Sequence, residues 1–473
     1  MRRTRIVCTL GPATDSPRVQ RALLKAGMDV ARLNFSHGTY EEHARNIASI
    51  RRLAEETGRA IGILQDLSGP KLRIGEFKAG QVHLRRGQTF TLASKAVEGD
   101  REGVRLAFPR LARYVEAGER IMLADGAIEL RVREIANGDI VCRVINGGAL
   151  GSRQGVNLPD TVLPVRAVTH KDLQDLDFGI EHGVDWVAMS FVRSPEDLAP
   201  LRRRMKECGC AIPIIAKVEK HEAVSALDEI LEAADGMMVA RGDLGVEMQL
   251  EEVPGIQKEI IRKCNLAGKP VITATQMLQS MIESPRPTRA EVTDIANAIL
   301  DGTDAVMLSG ETAVGKYPVR AARMMAEVAV HAERLLDFEA IRREKAAIVS
   351  DTPTDAISES CVAMAHDLRA RAILVSTSSG YTARMVSKNR PSAPIVAVTA
   401  ERETYRRLPL VWGVQPLFVG VTSQDTDEVL ARAQEAAKAH GYVKDGDIVV
   451  ITAGVPVGVP GHTNLVKVQV IGQ

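Results

Sequence analysis

Eight short apolar segments recur along the chain, and a longer stretch separates each from the next. The segments are residues 5–11, 29–35, 60–67, 185–191, 213–219, 236–243, 270–276 and 305–311. Short apolar runs are typical of strands buried on both faces of a parallel sheet. Several intervening stretches, such as 16–27, 194–209 and 288–302, begin with Ser or Thr and end with Gly, as helices often do. This alternation favours a (β/α)8 TIM barrel, and an open doubly wound sheet is the alternative.

The repeat is interrupted once and is followed by a further region, so three domains are expected. Residues 70–165 show short alternating runs with turn signals at Asp125-Gly126 and Asn137-Gly138, which predict a small inserted β-barrel domain. Residues 339–473 return to a strand and helix rhythm and predict a C-terminal α/β domain. The barrel then comprises residues 1–69 and 166–338. Because the insertion follows the third strand, it leaves the barrel at the active face, where we expect it to act as a lid.

Charge and cysteine content exclude several classes of protein. The chain has 61 basic and 60 acidic residues and a formal net charge of +1, so neither nucleic acid nor a membrane surface is an expected partner. The six cysteines show no disulfide or zinc spacing. No secretory pattern and no apolar run of membrane-spanning length is present. We therefore expect a reduced, cytoplasmic protein.

Polar side chains gather where the predicted strands end, which is where a TIM barrel places its active site. The sixth segment ends in Arg241-Gly242-Asp243, which by itself is compatible with a surface turn, an adhesion tripeptide or a ligand site. The other strand-end candidates are Arg32, Asn34, Ser36, His37, Asp66, Lys217, Glu219, Thr275, Gln276, Ser309 and Glu311. Their shared location favours the ligand site.

Lys217 and Glu219 are two residues apart on one predicted strand, so both face the same side. An interior ion pair is the alternative to a catalytic role. Glu219 and Asp243 together offer two carboxylates, a suitable minimum for Mg²⁺. With Arg32, Lys217 and Arg241 nearby, we expect an anionic, phosphorylated substrate.

Neutral groups complete the predicted face. Gly242 lacks a Cβ and can bring its backbone N–H close to an anion, although a plain turn explains it equally. Thr275 and Gln276 offer neutral donors or a strand-capping hydrogen bond. For Ser309 and Glu311, a role in supporting the site and a role in supporting the fold are equally good interpretations.

Six ordered motifs, "ARLNFSHG", "LQDLSGPKLRIG", "IIAKVE", "VARGDLG", "ITATQML" and "VMLSGETAVGKYP", together resemble the pyruvate kinase family. The resemblance extends over nearly the whole chain, including the insertion and the C-terminal region. It implies phosphoryl transfer from phosphoenolpyruvate to ADP, giving pyruvate and ATP in the last step of glycolysis. It also implies a homotetramer.

The resemblance assigns roles to the strand-end residues. Glu219 and Asp243 are similar to the family's ligands for the catalytic Mg²⁺, which Mn²⁺ can replace, and a second Mg²⁺ arrives with the nucleotide. Lys217 and Arg32 are similar to the cations facing the transferring phosphoryl group, and Lys217 also faces the enolate oxygen. Arg32 and His37 are the expected nucleotide contacts, although His37 is equally compatible with a polar loop histidine. It is not expected to bind a metal, because no second histidine lies at metal-ligand spacing from it.

The resemblance also implies which groups contact the substrate carboxylate. Thr275 and the backbone at Gly242 and Asp243 resemble these contacts, and Thr275 lies near the later proton delivery to the enolate. Two rival functions stay open: another Mg²⁺-dependent barrel enzyme, such as an aldolase-like lyase acting on a phosphoenol or 2-oxo acid, and a catalytically silent effector sensor.

One motif departs from the members of the family that need K⁺. Those members resemble one another in a Thr after the aspartate and a Glu five residues after it, whereas this chain has Leu67 after Asp66 and then Lys71. A fixed ammonium can replace a monovalent cation electrostatically. We therefore predict that K⁺ is not required and that Asn34, Ser36 and Asp66 surround Lys71 or are left without a metal.

A hydroxyl-rich loop, "STSSGYTA", follows a strand and opens a helix in the C-terminal region. Its hydroxyl and N–H groups suit a phosphate, and a capped loop is an equally good interpretation. The resemblance implies an allosteric site for a sugar phosphate or nucleotide monophosphate, and the candidate residues are Ser376, Thr377, Ser378, Ser379, Gly380 and Thr382. Residues 453–464 lack the Trp and Arg that mark fructose-1,6-bisphosphate binding in some relatives, so the effector's identity stays open.

Overall fold

The computed structural model describes residues 1–95, 97–108, 110–346, 352–420, 425–455 and 463–473. The strands are β1 (Arg5–Leu10), β2 (Val30–Asn34), β3 (Gly62–Leu67), β4 (Gln81–Leu84), β5 (Thr89–Ala93), β6 (Gly103–Arg105), β7 (Arg120–Leu123), β8 (Ile128–Ala136), β9 (Asp139–Asn146), β10 (Gly148–Gly151), β11 (Val156–Asn157), β12 (Trp186–Met189), β13 (Ile214–Val218), β14 (Gly236–Ala240), β15 (Val271–Ala274), β16 (Ala305–Leu308), β17 (Ala372–Ser376), β18 (Ile395–Thr399), β19 (Val414–Phe418), β20 (Ile448–Ala453) and β21 (Leu465–Val470).

The helices are α1 (Pro17–Ala26), α2 (Tyr40–Thr57), α3 (His170–Glu181), α4 (Ala199–Glu207), α5 (His221–Ser225), α6 (Leu227–Ala233), α7 (Arg241–Glu247), α8 (Val253–Ala267), α9 (Arg289–Leu300), α10 (Gly310–Ala313), α11 (Pro318–Glu333), α12 (Phe338–Ala346), α13 (Pro353–Asp367), α14 (Tyr381–Lys388), α15 (Arg402–Arg407) and α16 (Thr426–Ala439). No helix in the described ranges is both long and apolar enough to cross a membrane.

Eight parallel strands close into a barrel in the order β1-β16-β15-β14-β13-β12-β3-β2. Each predicted apolar segment contains one of these strands, so the predicted TIM barrel is confirmed. The apolar side chains of the strands pack inward against one another and outward against the surrounding helices. This double burial explains why the segments are almost continuously apolar rather than alternating.

Capping side chains fix where several outer helices begin. The hydroxyl of Thr39 accepts the backbone N–H of Glu42, and the carboxylate of Glu42 accepts the backbone N–H of Thr39. Thr288 and Glu291 form the same reciprocal pair at the start of α9, as the sequence predicts. These caps orient the loops that precede the helices.

The inserted region forms a six-stranded sheet in the order β11-β7-β8-β9-β5-β6 and a two-stranded sheet of β10 and β4. The two sheets share one hydrophobic core, in which Phe90 is fully buried. The turn between β8 and β9 is the predicted Asn137-Gly138, with φ angles of 55° and 85°. Two successive positive φ angles are typical of the type I′ turn that suits a tight hairpin.

The C-terminal region contains a five-stranded sheet in the order β19-β18-β17-β20-β21, in which β21 is antiparallel to its neighbour. The strand and helix rhythm predicted for residues 339–473 is thus present in the described part of this region. The strand β19 has no clear signal in the sequence, because it contains Pro416 and is not continuously apolar. Proline is tolerated here because β19 lies at the edge of the sheet.

The C-terminal domain closes the amino end of the barrel. Leu410 is fully buried and belongs to the same hydrophobic cluster as Val7 and Leu64, which point into the barrel. Arg5 Nε donates to the carbonyl of Val411 over 2.9 Å, and Trp186 Nε1 donates to the carbonyl of Arg407 over 3.2 Å. The floor of the barrel is therefore completed by a residue outside the barrel repeat.

Candidate active site

Lys217 lies at the carboxyl end of β13 and is buried among polar partners. Its Nζ donates to Ser190 Oγ over 2.7 Å and lies 2.8 Å from Glu219 Oε1 and 3.2 Å from Asp66 Oδ1. Burial by itself lowers the pKa of Lys217, but the carboxylates of Asp66 and Glu219 outweigh it and hold the pKa above its usual value. The side chain therefore stays a fixed positive charge.

Arg32 supplies the second cation. It projects from β2, where its Nε donates to Asp66 Oδ2 over 2.7 Å and its Nη1 donates to Thr9 Oγ1 over 2.9 Å. Burial favours the neutral form of Asp66, yet Arg32 and Lys217 keep the pKa of this carboxyl below its usual range. Both oxygens of Asp66 are thus engaged by cations, which orients the two positive groups on one face.

Glu219 and Asp243 provide the acidic part of the site. Glu219 is 2% exposed, and its Oε2 accepts the backbone N–H of Phe191 over 2.8 Å. Burial raises the pKa of Glu219, and the charge of Asp243 raises it further against the opposing effect of Lys217. Asp243 lies half-buried in the first turn of α7. The two carboxylates are therefore close enough to repel each other.

These two carboxylates fit a hard divalent cation. Oxygen ligands suit Mg²⁺, which keeps several waters and shares its coordination with substrate phosphates. Within the described ranges, no group of three or more His, Cys, Asp or Glu residues could hold a metal ion. Two carboxylates would leave the other coordination positions of such an ion to water and substrate oxygens.

Thr275 follows β15 and adopts a strained backbone. Its φ is 69°, and that of Gln276 is 54°. A positive φ is unfavourable for a β-branched residue, and such strain clusters at functional sites. Thr275 Oγ1 donates to the carbonyl of Ala274 over 2.6 Å and accepts the N–H of Gly242 over 2.7 Å. The structure brings Thr275 and Gly242 together, and the Gly242 N–H is engaged by Thr275.

Arg241 differs from the expectation. It begins α7, and its guanidinium donates to Asp294 Oδ1 over 2.6 Å and to the carbonyls of Thr275 and Ala274 over 2.7 and 3.2 Å. The prediction that Arg241 adds a third cation to the site is therefore wrong. Its side chain instead fixes the strained segment after β15 to the start of α7.

The residues assigned to a monovalent-cation position are only partly together. Asn34 Oδ1 accepts the backbone N–H of Ser36 over 3.1 Å. Lys71 is exposed, and among the described residues its ammonium forms no hydrogen bond or ion pair with Asn34, Ser36 or Asp66. The prediction left two arrangements open: Asn34, Ser36 and Asp66 surround Lys71, or they are left without a metal. In the described part of the chain, the first arrangement is not formed by direct contact.

His37 lies beside the same cations. Burial lowers its pKa, and the positive charges of Arg73, Lys71 and Arg32 lower it further. Its backbone N–H donates to the carbonyl of Asn34 over 3.1 Å. His37 thus lies in a basic neighbourhood that disfavours its protonated form.

The inserted domain contacts the barrel at α7, the helix that begins at Arg241 and contains Asp243. Asn157 Nδ2 in β11 donates to Glu247 Oε1 over 3.1 Å, and Lys220 Nζ lies 2.8 Å from the same oxygen. Glu247 is buried and belongs to α7, the helix that carries Asp243 in its first turn. The position of the inserted domain is therefore linked to the helix that carries one of the two carboxylates.

Sequence reasoning missed Ser190, Phe191 and Thr9. Each lies near the end of a barrel strand, and the hydroxyls of Ser190 and Thr9 bind Lys217 and Arg32. Phe191 has a φ of 57°, which directs its N–H toward Glu219. A hydroxyl at a strand end is the signal that would have found Ser190 and Thr9, whereas no sequence signal marks Phe191.

The contacts of Glu311 decide between the two roles that the sequence left open, support of the site and support of the fold. It is fully buried, its Oε1 accepts the N–H of Leu278 over 3.0 Å, and its Oε2 accepts the N–H of Ser309 over 2.7 Å. Both oxygens therefore bind backbone. Glu311 supports the loop that follows β15 and carries Thr275.

The hydroxyl-rich loop of the C-terminal domain is internally bonded. Thr377 Oγ1 accepts the N–H of Gly380 over 3.0 Å, and Thr382 Oγ1 lies 2.8 Å from Thr463 Oγ1. Ser376 ends β17, Ser378 accepts a hydrogen bond from Thr404 through its carbonyl, and Ser379 is exposed. The capped-loop arrangement is thus present, and phosphate binding stays a prediction. Of residues 453–464, which the sequence analysis considers for effector binding, residues 456–462 lie outside the described residues.

A TIM barrel whose strand ends bring together two fixed cations, two carboxylates and a strained hydroxyl residue defines an enzyme for an anionic substrate. The family model described as pyruvate kinase, barrel domain, matches residues 1–322, and the model described as pyruvate kinase, alpha/beta domain, matches residues 355–469. The chain therefore belongs to the pyruvate kinase family.

Relatives support the same assignment over the full length of the chain. It is 50% identical to the pyruvate kinase of Geobacillus stearothermophilus over 473 residues, covering 99% of this chain and 80% of the relative. It is 49% identical to pyruvate kinase 2 of Synechocystis sp., covering 99% and 79%, and 47% identical to the pyruvate kinase of Sporosarcina psychrophila, covering 100% and 81%. The predicted family is confirmed.

Proposed function

We propose that this chain transfers the phosphoryl group of phosphoenolpyruvate to ADP, producing pyruvate and ATP as the last step of glycolysis. One observation carries the proposal: Lys217, Arg32, Glu219 and Asp243 converge at the carboxyl end of one barrel. Phosphoryl transfer requires positioning and charge stabilisation rather than a protein nucleophile. This set of groups supplies both.

The cations act on the migrating group. In the proposal, the ammonium of Lys217 and the guanidinium of Arg32 neutralise negative charge on the phosphoryl oxygens, and Lys217 also stabilises the enolate oxygen left behind. Asp66 holds both cations in place through its two oxygens. Because these groups are oriented before the substrate arrives, little reorganisation is required in the transition state.

Glu219 and Asp243 would hold Mg²⁺, with Mn²⁺ as a possible replacement and a second Mg²⁺ accompanying the nucleotide. When bound, the ion adds positive charge at the phosphoryl and carboxylate oxygens of the substrate. Burial and the charge of Asp243 raise the pKa of Glu219, and a divalent cation held by the two carboxylates would offset both effects.

The substrate carboxylate is bound on the other side of the site. In the proposal, it lies against Thr275 and the backbone at Gly242 and Asp243, and its arrival exchanges the Gly242–Thr275 hydrogen bond for contacts with the substrate. Thr275 then lies close to the enolate carbon that is protonated after transfer. The positive φ of Thr275 supports this role, because strain at one residue is retained where its geometry is required.

Several finer features belong to the same proposal. His37 contacts the nucleotide together with Arg32, K⁺ is not required, and the enzyme is a cytoplasmic homotetramer. The loop from Ser376 to Thr382 binds a sugar phosphate or a nucleotide monophosphate as an allosteric effector.

A coupled assay tests the central reaction. Purified protein is incubated with phosphoenolpyruvate and Mg²⁺, and pyruvate is detected with lactate dehydrogenase and NADH, with and without ADP. We expect pyruvate release that requires both ADP and Mg²⁺. Release that is independent of ADP would assign the chain to a lyase or hydrolase instead, and no release under any condition would favour the effector sensor.

A further inference from the structure

An ion pair joins the two chain segments that carry Glu219 and Asp243. Lys220, which directly follows Glu219, donates from Nζ to Glu247 Oε1 over 2.8 Å. Glu247 ends α7 and lies four residues after Asp243, so these two acidic residues are about one helical turn apart. The ion pair therefore connects the segment that follows β13 to the helix that follows β14.

The pair is largely enclosed by protein. The side chain of Glu247 is fully buried, and that of Lys220 is 18% exposed. Exposed ion pairs contribute little because water and salt screen them, whereas a buried carboxylate depends strongly on its cation. Within the described ranges, Lys220 is the only cation at ion-pair distance from Glu247. This contact can therefore hold the two segments at a defined separation.

The helix α7 is fixed at both ends by different neighbours. Arg241 at its start pairs with Asp294 of α9, and Glu247 at its end pairs with Lys220. Between these ends, the carboxylate of Asp243 forms no hydrogen bond or ion pair with another described residue. The position of this carboxylate therefore depends on the placement of α7.

The backbone ladder between β13 and β14 does not extend to the two candidate metal carboxylates. Its last paired residues are Val218 and Val239, which precede Glu219 and Asp243 in the chain. Beyond this point, side-chain contacts have to set the separation of the two carboxylates. The ion pair described above spans this gap.

We propose that Lys220 is a positioning residue for the divalent cation, and that its ion pair with Glu247 sets the separation of the carboxylates of Glu219 and Asp243. The inference rests on the proposed function, which assigns Mg²⁺ to these two carboxylates. Lys220 is not itself a ligand, because an ammonium has no acceptor. Residues that orient metal ligands typically change metal affinity by about 10- to 100-fold when they are replaced.

Charge and geometry predict opposite effects of replacing Lys220. Removal of a positive charge beside the site would by itself strengthen the binding of a cation. Loss of positioning would weaken it. We therefore expect Lys220→Met to bind Mn²⁺ roughly 10- to 100-fold more weakly than the wild type. Unchanged or tighter binding would overturn the proposal.

Electron paramagnetic resonance of Mn²⁺ tests the proposal on the full-length protein, without phosphoenolpyruvate or ADP. The signal of free Mn²⁺ falls as the ion binds, so a titration gives the dissociation constant. Lys263→Met is the matched control, because Lys263 pairs with Asp228 outside the candidate site and its side chain is 19% exposed. Asn157→Ala removes the hydrogen bond from the inserted domain to Glu247 and leaves Lys220 in place. Both controls should bind Mn²⁺ as the wild type does, and an equal loss in either would overturn the assignment to Lys220.

A double variant separates positioning from charge compensation. Lys220→Met alone leaves the buried carboxylate of Glu247 without its cation, which destabilises the folded state. Adding Glu247→Met removes both charges, so the net charge beside the site is that of the wild type. Circular dichroism should show a folded double variant whose Mn²⁺ affinity is still roughly 10- to 100-fold below that of the wild type. Wild-type affinity in the double variant would overturn the proposal, since the ion pair would then only neutralise a buried charge.

Failure of the proposed function would give a different result. If the coupled assay shows no ADP-dependent pyruvate while Lys220→Met still lowers the Mn²⁺ affinity, the reaction is rejected and the positioning role stands. If the wild type is active and Lys220→Met binds Mn²⁺ equally well, the positioning role alone is rejected. A wild type that binds no Mn²⁺ would reject the metal assignment together with this inference.

Discussion

The ammonium nitrogen of Lys217 lies 2.7 Å from the hydroxyl oxygen of Ser190 and donates a hydrogen bond to it. Ser190 in turn donates to the carbonyl of Leu67 over 2.7 Å. Three neighbouring barrel strands, β3, β12 and β13, are thereby joined through polar groups at their carboxyl ends. The position of the cation is therefore set by the barrel as a whole rather than by its own strand.

Replacing Lys217 with Met should lower kcat by roughly 100-fold or more, the effect of losing one group that stabilises a developing negative charge. The substitution also leaves Asp66 and Glu219 with one cation fewer, so the free energy of unfolding should fall by about 3–5 kcal/mol. The change in kcat is measured by steady-state kinetics, at a temperature at which circular dichroism shows that the variant is folded. Lys206→Met, an exposed lysine on α4, is the control, and an unchanged turnover in Lys217→Met would reject the catalytic role.

Ser190→Ala should reduce kcat by roughly 10- to 100-fold, since a hydrogen bond to a charged group contributes about 1.5–3 kcal/mol to holding the ammonium. KM should change little, because Ser190 contacts Lys217 and not the substrate in the proposed arrangement. Ser225→Ala, an exposed serine bonded to its own helix, is the matched control. A rise in KM with kcat unchanged would show that Ser190 acts on substrate binding instead.

Asn157→Ala should weaken the contact between the inserted domain and the barrel, because it removes the hydrogen bond to the buried carboxylate of Glu247. Hydrogen bonds to charged groups contribute about 1.5–3 kcal/mol, so KM for phosphoenolpyruvate should rise by roughly 10- to 100-fold while kcat at saturation changes less. Asn146→Ala replaces an exposed asparagine on the same lid and should have no effect. Equal kinetics in the two variants would show that this hydrogen bond does not contribute to substrate binding.

Potassium should not activate the enzyme. Both oxygens of Asp66 are engaged by Arg32 and Lys217, and a leucine stands at position 67, which has no side-chain oxygen to coordinate a cation. Activity is measured in tetramethylammonium buffer free of sodium and potassium, before and after KCl is added, with tetramethylammonium chloride at the same ionic strength as control. A many-fold activation specific to KCl would contradict the prediction.

Leu410→Ala should destabilise the protein by about 2–5 kcal/mol, because it leaves a cavity in the barrel floor. Leu368→Ala, at a leucine that is 42% exposed, should change the free energy of unfolding by no more than about 0.5 kcal/mol. Chemical denaturation followed by circular dichroism measures both values. A cost for Leu410→Ala as small as that of the control would mean that the C-terminal domain does not support the barrel.

The barrel could be predicted because its signal is local. Each buried strand appears as an apolar run, and capping pairs such as Thr288 with Glu291 mark where a helix begins. The edge strand β19 has no such signal, since one side of it faces no neighbouring strand and Pro416 interrupts its pattern. The candidate site could be predicted only as a set of strand ends, with Arg241 included in error and Ser190 omitted.

The sequence by itself determined the fold class, the family and the residue types at the site, because periodicity and strand-end position are local properties that neighbouring residues specify. Tertiary structure alone decided which groups meet. Residues 66, 190 and 217 are far apart in the chain, and only closure of the barrel brings their side chains within hydrogen-bond distance. The tertiary structure likewise decided that Arg241 binds Asp294. The partner of a side chain depends on how helices and strands pack, which the local sequence pattern does not specify.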